Sequence, residues 1–84
     1  MSLTLKFSFL GDVQESDTEN IIANLKSIDG VDGIDFNREK KVFRVIATKR
    51  LDIKEIHQRM KRYALSVSLL SSEQKEEQTM HLSI

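Results

Sequence analysis

Leu3, Leu5, Phe7 and Phe9 fall at strict period two, with Thr4, Lys6 and Ser8 between them. That is the pattern of a strand with one face on a core and the other towards water. Gly11 ends the run, and Asp12 to Glu15 make a polar loop. The period then changes: Ile21, Ile22, Leu25 and Ile28 form one apolar stripe, which predicts a helix from about Asp17 to Ile28. Ser16 and Glu19 have the spacing of a capping box at its start, with Asp17 and Glu19 placing negative charge at the positive end of the helix dipole. Gly30 is positioned to take the left-handed conformation that closes the helix. Beyond the hinge Gly30-Val31-Asp32-Gly33-Ile34, Ile34 and Phe36 alternate as in a strand, and Asn37-Arg38-Glu39-Lys40 is a polar turn. Val42 to Ala47 is a second β-rich run with Phe43 and Val45 as its inward pair, so Ile21 to Val45 reads as a helix docked on a hairpin.

A second helix follows Leu51, entered through Asp52 as cap, with Glu55 placed to complete a capping box and Leu51 to staple onto Ile56. Ile53, Ile56, Met60 and Tyr63 or Ala64 make its inner face, and Leu65, Val67 and Leu69 alternate with Ser66 and Ser68 as a fourth strand. The order strand, helix, strand, strand, helix, strand has one economical solution. Right-handed crossovers put both helices on one face of a four-stranded antiparallel sheet, an α+β, ferredoxin-like βαββαβ sandwich. The other face is open and carries Thr4, Lys6, Ser8, Asp35, Asn37, Ser66 and Ser68, together with Val42 and Ile46 flanking Arg44. These last three form a candidate interaction patch, although isolated apolar surface residues are also ordinary. Residues 1–70 make the domain and 71–84 a polar tail, in which Met80, Leu82 and Ile84 resume alternation as either a short fifth strand on a sheet edge or a frayed terminus.

With 84 residues, 39% hydrophobic and 31% charged, the chain is expected to be one small soluble domain burying roughly 60 to 65% of its unfolded surface. It has no cysteine, which removes disulfides, thiolate metal sites and thiol nucleophiles. No run is long enough to span a bilayer, and Met1 to Leu10 is too short and too alternating for a signal peptide, so a cytoplasmic location is expected. Zero net charge hides a division. Residues 1–37 carry two basic groups, Lys6 and Lys26, against seven acidic, whereas residues 38–62 carry ten basic against three acidic. Either the surface is two-signed and steers a charged partner, or the acidic and basic elements face each other or water.

The residues Leu25-Lys26-Ser27-Ile28-Asp29-Gly30-Val31, then Ile34 and Phe36, Phe43 and Val45, and Tyr63 before the last strand resemble the heavy-metal-associated domain of copper chaperones and of the N-terminal extensions of metal-pumping ATPases. The resemblance runs from Leu5 to Leu70 and implies the same ferredoxin-like fold. In that family a loop Gly-Met-x-Cys-x-x-Cys precedes the first helix and holds soft metal ions. An ungapped count from Gly30-Val31 brings Gly11 onto its glycine, Asp12 onto its methionine, and Gln14 and Asp17 onto its two cysteines. Every metal-binding position has changed, and an amide with a carboxylate is a hard, weak substitute for two thiolates. Asp17 is better explained by the helix entry, and Lys61 and Arg62, near where the family sets a basic residue, have no thiolates to balance.

Other chemistry is thinly represented. His57 and Met60 lie one helical turn apart and Met80 and His81 are adjacent, so a His/Met site is conceivable if the tail folds back, but Met60 reads more simply as core and His57 as surface. No nucleophile sits beside a histidine and no glycine-rich phosphate loop is present, so an enzyme is not expected. The basic residues, from Lys40 to Arg62, invite comparison with RNA-binding domains of this topology. Those stack bases on aromatics of the open sheet face, whereas Phe7, Phe9, Phe36 and Phe43 point inward here, so nucleic acid is not the expected partner. The leading reading is a non-catalytic binding or interaction module with a degenerate metal motif, no cofactor and no membrane partner, meeting another protein or itself through a sheet edge or the Val42/Ile46 face. The alternatives are a small-ligand regulatory domain of ACT type and weak divalent metal binding through His57, His81 or the loop from Asp12 to Asp17.

Overall fold

The computed structural model describes residues 2–75 and contains the expected succession β1 (Ser2–Leu10), α1 (Glu15–Lys26), β2 (Val31–Asn37), β3 (Val42–Ala47), α2 (Ile53–Lys61) and β4 (Ser66–Lys75). The strands form one antiparallel sheet in the order β2-β3-β1-β4. This is the ferredoxin-like arrangement, with both helices on one face. Along β1 the alternation is complete: Leu3, Leu5, Phe7 and Phe9 are buried, while Thr4, Lys6 and Ser8 are not. Phe43, Val45 and Ala47 of β3 join them, with Ile21, Leu25 and Ile28 from α1 and its following turn, Ile56 and Met60 from α2, and Leu65 and Val67 around the start of β4. Four phenylalanines stack at the centre, Phe7 on Phe43 at 4.9 Å between ring centroids and Phe9 on Phe36 at 5.3 Å, separations at which aromatic pairs attract beyond their buried area.

The helix ends differ from expectation in three places. α1 begins at Glu15 with Gln14 as its N-cap and no side-chain cap bond, so Ser16 lies inside the first turn and no Ser16/Glu19 box forms. Val13, packed against the core just before it, fixes the entry instead. Its C-terminus is Ser27 rather than Gly30. The Ser27 hydroxyl donates to the Asn24 carbonyl at 2.6 Å and its amide is shared between Ala23 and Asn24, satisfying the last carbonyls. Gly30, at φ +95°, acts three residues later, turning the chain into β2 where its carbonyl accepts from the Thr48 amide. In α2 Asp52 caps as expected, its Oδ1 accepting from the Lys54 amide at 3.0 Å. Glu55, however, turns to Arg59 at 2.9 Å instead of completing a box.

Arg59 ties the two helices together. Its guanidinium donates to the Asn24 carbonyl, the Asn24 side chain and the Ser27 hydroxyl at 2.7 to 3.0 Å, as well as to Glu55. A cation on the last carbonyls of α1 also opposes the negative end of that helix dipole. Arg59→Ala is therefore expected to cost about 2 kcal/mol, since these are charge-assisted bonds that are only partly exposed. Arg59→Lys should recover less than half, because an ammonium lacks the planar fork; urea denaturation of both variants measures the difference.

The fourth strand does not stop at Leu70. It continues through Lys75, pairing Ser71 with Lys6, Ser72 with Leu5, Glu73 with Thr4 and Gln74 with Leu3. Composition alone predicts a polar tail from Ser71 onward. A register shift opposite Lys6 and Phe7 leaves Leu70 as an extra residue, 53% exposed. Leu69, paired with Phe7 and expected inside, is 43% exposed at the sheet edge. The candidate fifth strand at Met80, Leu82 and Ile84, with His81, lies outside the described residues.

Candidate functional site

Two places correspond to the candidate sites. The first is the loop between β1 and α1. Gly11 has φ +119°, and a Cβ there would stand 2.8 Å from the Leu65 side chain and 3.0 Å from the Ala64 carbonyl, so the loop lies directly against the connection between α2 and β4. A glycine is required here on both counts. Asp12 and Gln14 are exposed, and Asp17 lies in the first turn of α1, its amide donating to the Gln14 carbonyl. A residue that sequence reasoning missed completes the loop. Lys41, at φ +58° after the β2–β3 turn, donates its Nζ to the Gly11 carbonyl at 2.9 Å and stands 3.5 Å from the Asp12 carboxylate. An ammonium thus sits on the loop, in contact with the Gly11 carbonyl and the Asp12 carboxylate.

These residues do not fit a soft metal ion. The donors at Asp12, Gln14 and Asp17 are oxygens or an amide, and a cation is already anchored beside them. Among the described residues no three of His, Cys, Asp or Glu come together in a group able to hold a metal. Met60 is fully buried in the core while His57 is exposed, so the one-turn spacing does not bring them to a common site. Lys61 and Arg62 are exposed at the end of α2.

The second place is the helix-free face of the sheet. Val42, Arg44 and Ile46 all project onto it from β3, opposite to the buried Phe43, Val45 and Ala47. Ile46 pairs with Gly33 of β2, and its Cδ1 lies at ordinary contact distance, 3.7 Å, from where a Cβ at Gly33 would stand. Thr4, Lys6, Asp35, Arg44, Ile46, Ser71, Ser72 and Glu73 line an open concavity of about 510 Å³. A smaller hollow adjoins it, sharing Lys6, Asp35 and Arg44 and adding Lys40 and Val42. The alternation of β1 and β3 already pointed to most of these residues; Ser71, Ser72 and Glu73 arrive only because β4 runs past Leu70.

Charge separation along the sequence is met in part by three ion pairs at the surface. Asp12 faces Lys41, Asp29 faces Lys49 and Asp35 faces Arg44, each an acid of the first 37 residues with a base of the next segment. The Lys49 ammonium, through its hydrogen bond and its charge, holds the Asp29 carboxyl below its ordinary value. Glu15 and Glu19 on α1, and Lys54, Lys61 and Arg62 on and after α2, form no ion pair within 4.0 Å among the described residues.

No family model and no curated protein matches the chain. Solved structures do. The N-terminal domain of a potential copper-translocating P-type ATPase from Bacillus subtilis is 16% identical, with 93% of this chain and 99% of that one covered and a TM-score of 0.74. The yeast copper transporter domain is 14% identical over 82% and 96% of the two chains, with a TM-score of 0.72. The HMA domain of a copper chaperone for superoxide dismutase is 18% identical over 100% and 83%, with a TM-score of 0.67. The fold is that of the heavy-metal-associated domain. Onto that heavy-metal-associated fold this chain brings no cysteine at all, an internal ammonium at the loop before α1, and no helix among the described residues long and apolar enough to cross a membrane.

Proposed function

We propose that this protein is a non-catalytic binding module, a heavy-metal-associated fold without thiolate chemistry, whose open sheet face receives a segment of a protein partner. The observation that carries this reading is the concavity on that face, lined by polar and charged residues together with Ile46, with Val42 in the adjoining hollow. Support also comes from the loop before α1, whose donors suit no soft ion, and from the aromatic side chains, which are turned into the core and leave no stacking platform for bases. Peptides selected from a displayed random library against the intact chain test it. Their binding is expected to weaken about tenfold or more with Ile46→Asp, which puts an unpaired charge into the contact, and to be unchanged by Lys54→Glu on the helical side. Equal loss with both variants would count against the sheet face. The same surface can meet a second copy of the chain; sedimentation over a concentration series, with mass rising for the wild type and not for Ile46→Asp, would make the chain its own partner.

A further inference from the structure

Resting on that reading of the sheet face, we infer that the segment it receives is acidic, with a carboxylate seated between Lys6 and Arg44. These two residues are direct cross-strand partners on β1 and β3, the central strands of the sheet. Like charges directly opposite one another are unfavourable in a sheet unless something anionic answers them. Arg44 has Asp35 beside it at 3.7 Å, with both side chains more than half exposed. Lys6 is half-buried and has no ion pair and no side-chain hydrogen bond among the described residues. The hydroxyls of Thr4 and Ser71, on the same face of the sheet and lining the same concavity, likewise make no side-chain hydrogen bond among the described residues.

The remaining charged groups around the two hollows are Glu73, across from Thr4 on β4, and Lys40. Three cations therefore meet two carboxylates, one of which already stands beside Arg44, and the unused donors gather around Lys6. An ammonium partly withdrawn from water, a guanidinium on the next strand and free hydroxyls are the donor set that a carboxylate accepts from. Ile46 and Val42, on the same face, give apolar contact to the residues on either side of that carboxylate. The two hollows adjoin and are open, which suits an extended segment; a small anion held there would stay largely hydrated, with little gained from the contact.

The library selection reads this directly. Selected peptides are expected to be enriched in Asp and Glu, to shift the amide signals of Lys6, Arg44 and Ser71 in NMR spectra, and to bind less tightly as salt is raised. Lys6→Glu should weaken them about tenfold or more, and Lys6→Gln, which leaves the strand pairing undisturbed, should weaken them in the same direction by less. Peptides without acidic enrichment that still depend on Ile46 would overturn the acidic partner and leave the contact face standing. Peptides indifferent to both Lys6→Glu and Ile46→Asp, or no enrichment at all, would overturn both. Inorganic phosphate and free glutamate are run alongside, and shifts from either as large as those from the peptides would overturn the segment in favour of a small anion.

Discussion

Phe43→Ala is expected to be strongly destabilising, costing about 3 to 5 kcal/mol. Phe43 is 1% exposed on a central strand. Its ring lies 4.9 Å from that of Phe7, 5.9 Å from Phe36 and 6.3 Å from Phe9, so it joins the whole aromatic cluster. Truncating a buried phenylalanine costs about 3 to 5 kcal/mol, from lost transfer energy and from the cavity left where neighbours cannot close in. A domain of this size has total stability of about 5 to 10 kcal/mol, so the loss removes a third or more of the margin. Phe43→Leu, which keeps an apolar side chain in place, should cost less than half as much. Urea denaturation measures both; a cost under about 1 kcal/mol for the alanine variant would contradict the packing described here.

Gln14→Cys with Asp17→Cys is expected to convert a chain indifferent to copper(I) into one that it stabilises. The two positions stand at the N-cap and in the first turn of α1, where the helix dipole favours thiolates and lowers their pKa. Two thiolates three residues apart supply the soft donors that the amide and carboxylate lack. Binding to the folded state alone raises stability by about 2.7 kcal/mol when free ion is a hundredfold above Kd. A thermal titration with copper(I) should therefore raise the Tm of the double variant by several degrees or more and leave the wild type unmoved. A rise in the wild type would point to another ligand set, and loss of that rise on truncation after Lys75 would place it at Met80 and His81.

The pattern of side chains made the fold legible and left the ends of its elements obscure, for reasons visible in particular residues. Leu3, Leu5, Phe7 and Phe9 or Ile56 and Met60 announce themselves because burial against a large core imposes a period on many positions at once. Cap residues are single positions, and Ser16 offered a capping box that the packing of Val13 made irrelevant. The open face was foreseeable from β1 and β3, whose alternation is unbroken. Its β4 border was not, because the extra residue at Leu70 reverses the parity of the strand. Continued without it, the alternation of Leu65, Val67 and Leu69 would turn Ser71 and Glu73 towards the core, and so their polarity read as the end of the strand. Lys41 was hidden differently, since its role depends on a contact thirty residues away in sequence.

The extra residue at Leu70 also bears on how β4 avoids becoming a seed for aggregation. β4 is an edge strand of ten residues, with Leu69 and Leu70 exposed near its middle. A straight edge of that length would offer a template for indefinite strand addition. The bulge breaks it into two shorter runs, and Glu73 places a charge on the second. Each run alone is a shorter template than the whole strand, so the edge at β4 is less open to strand addition than its length suggests.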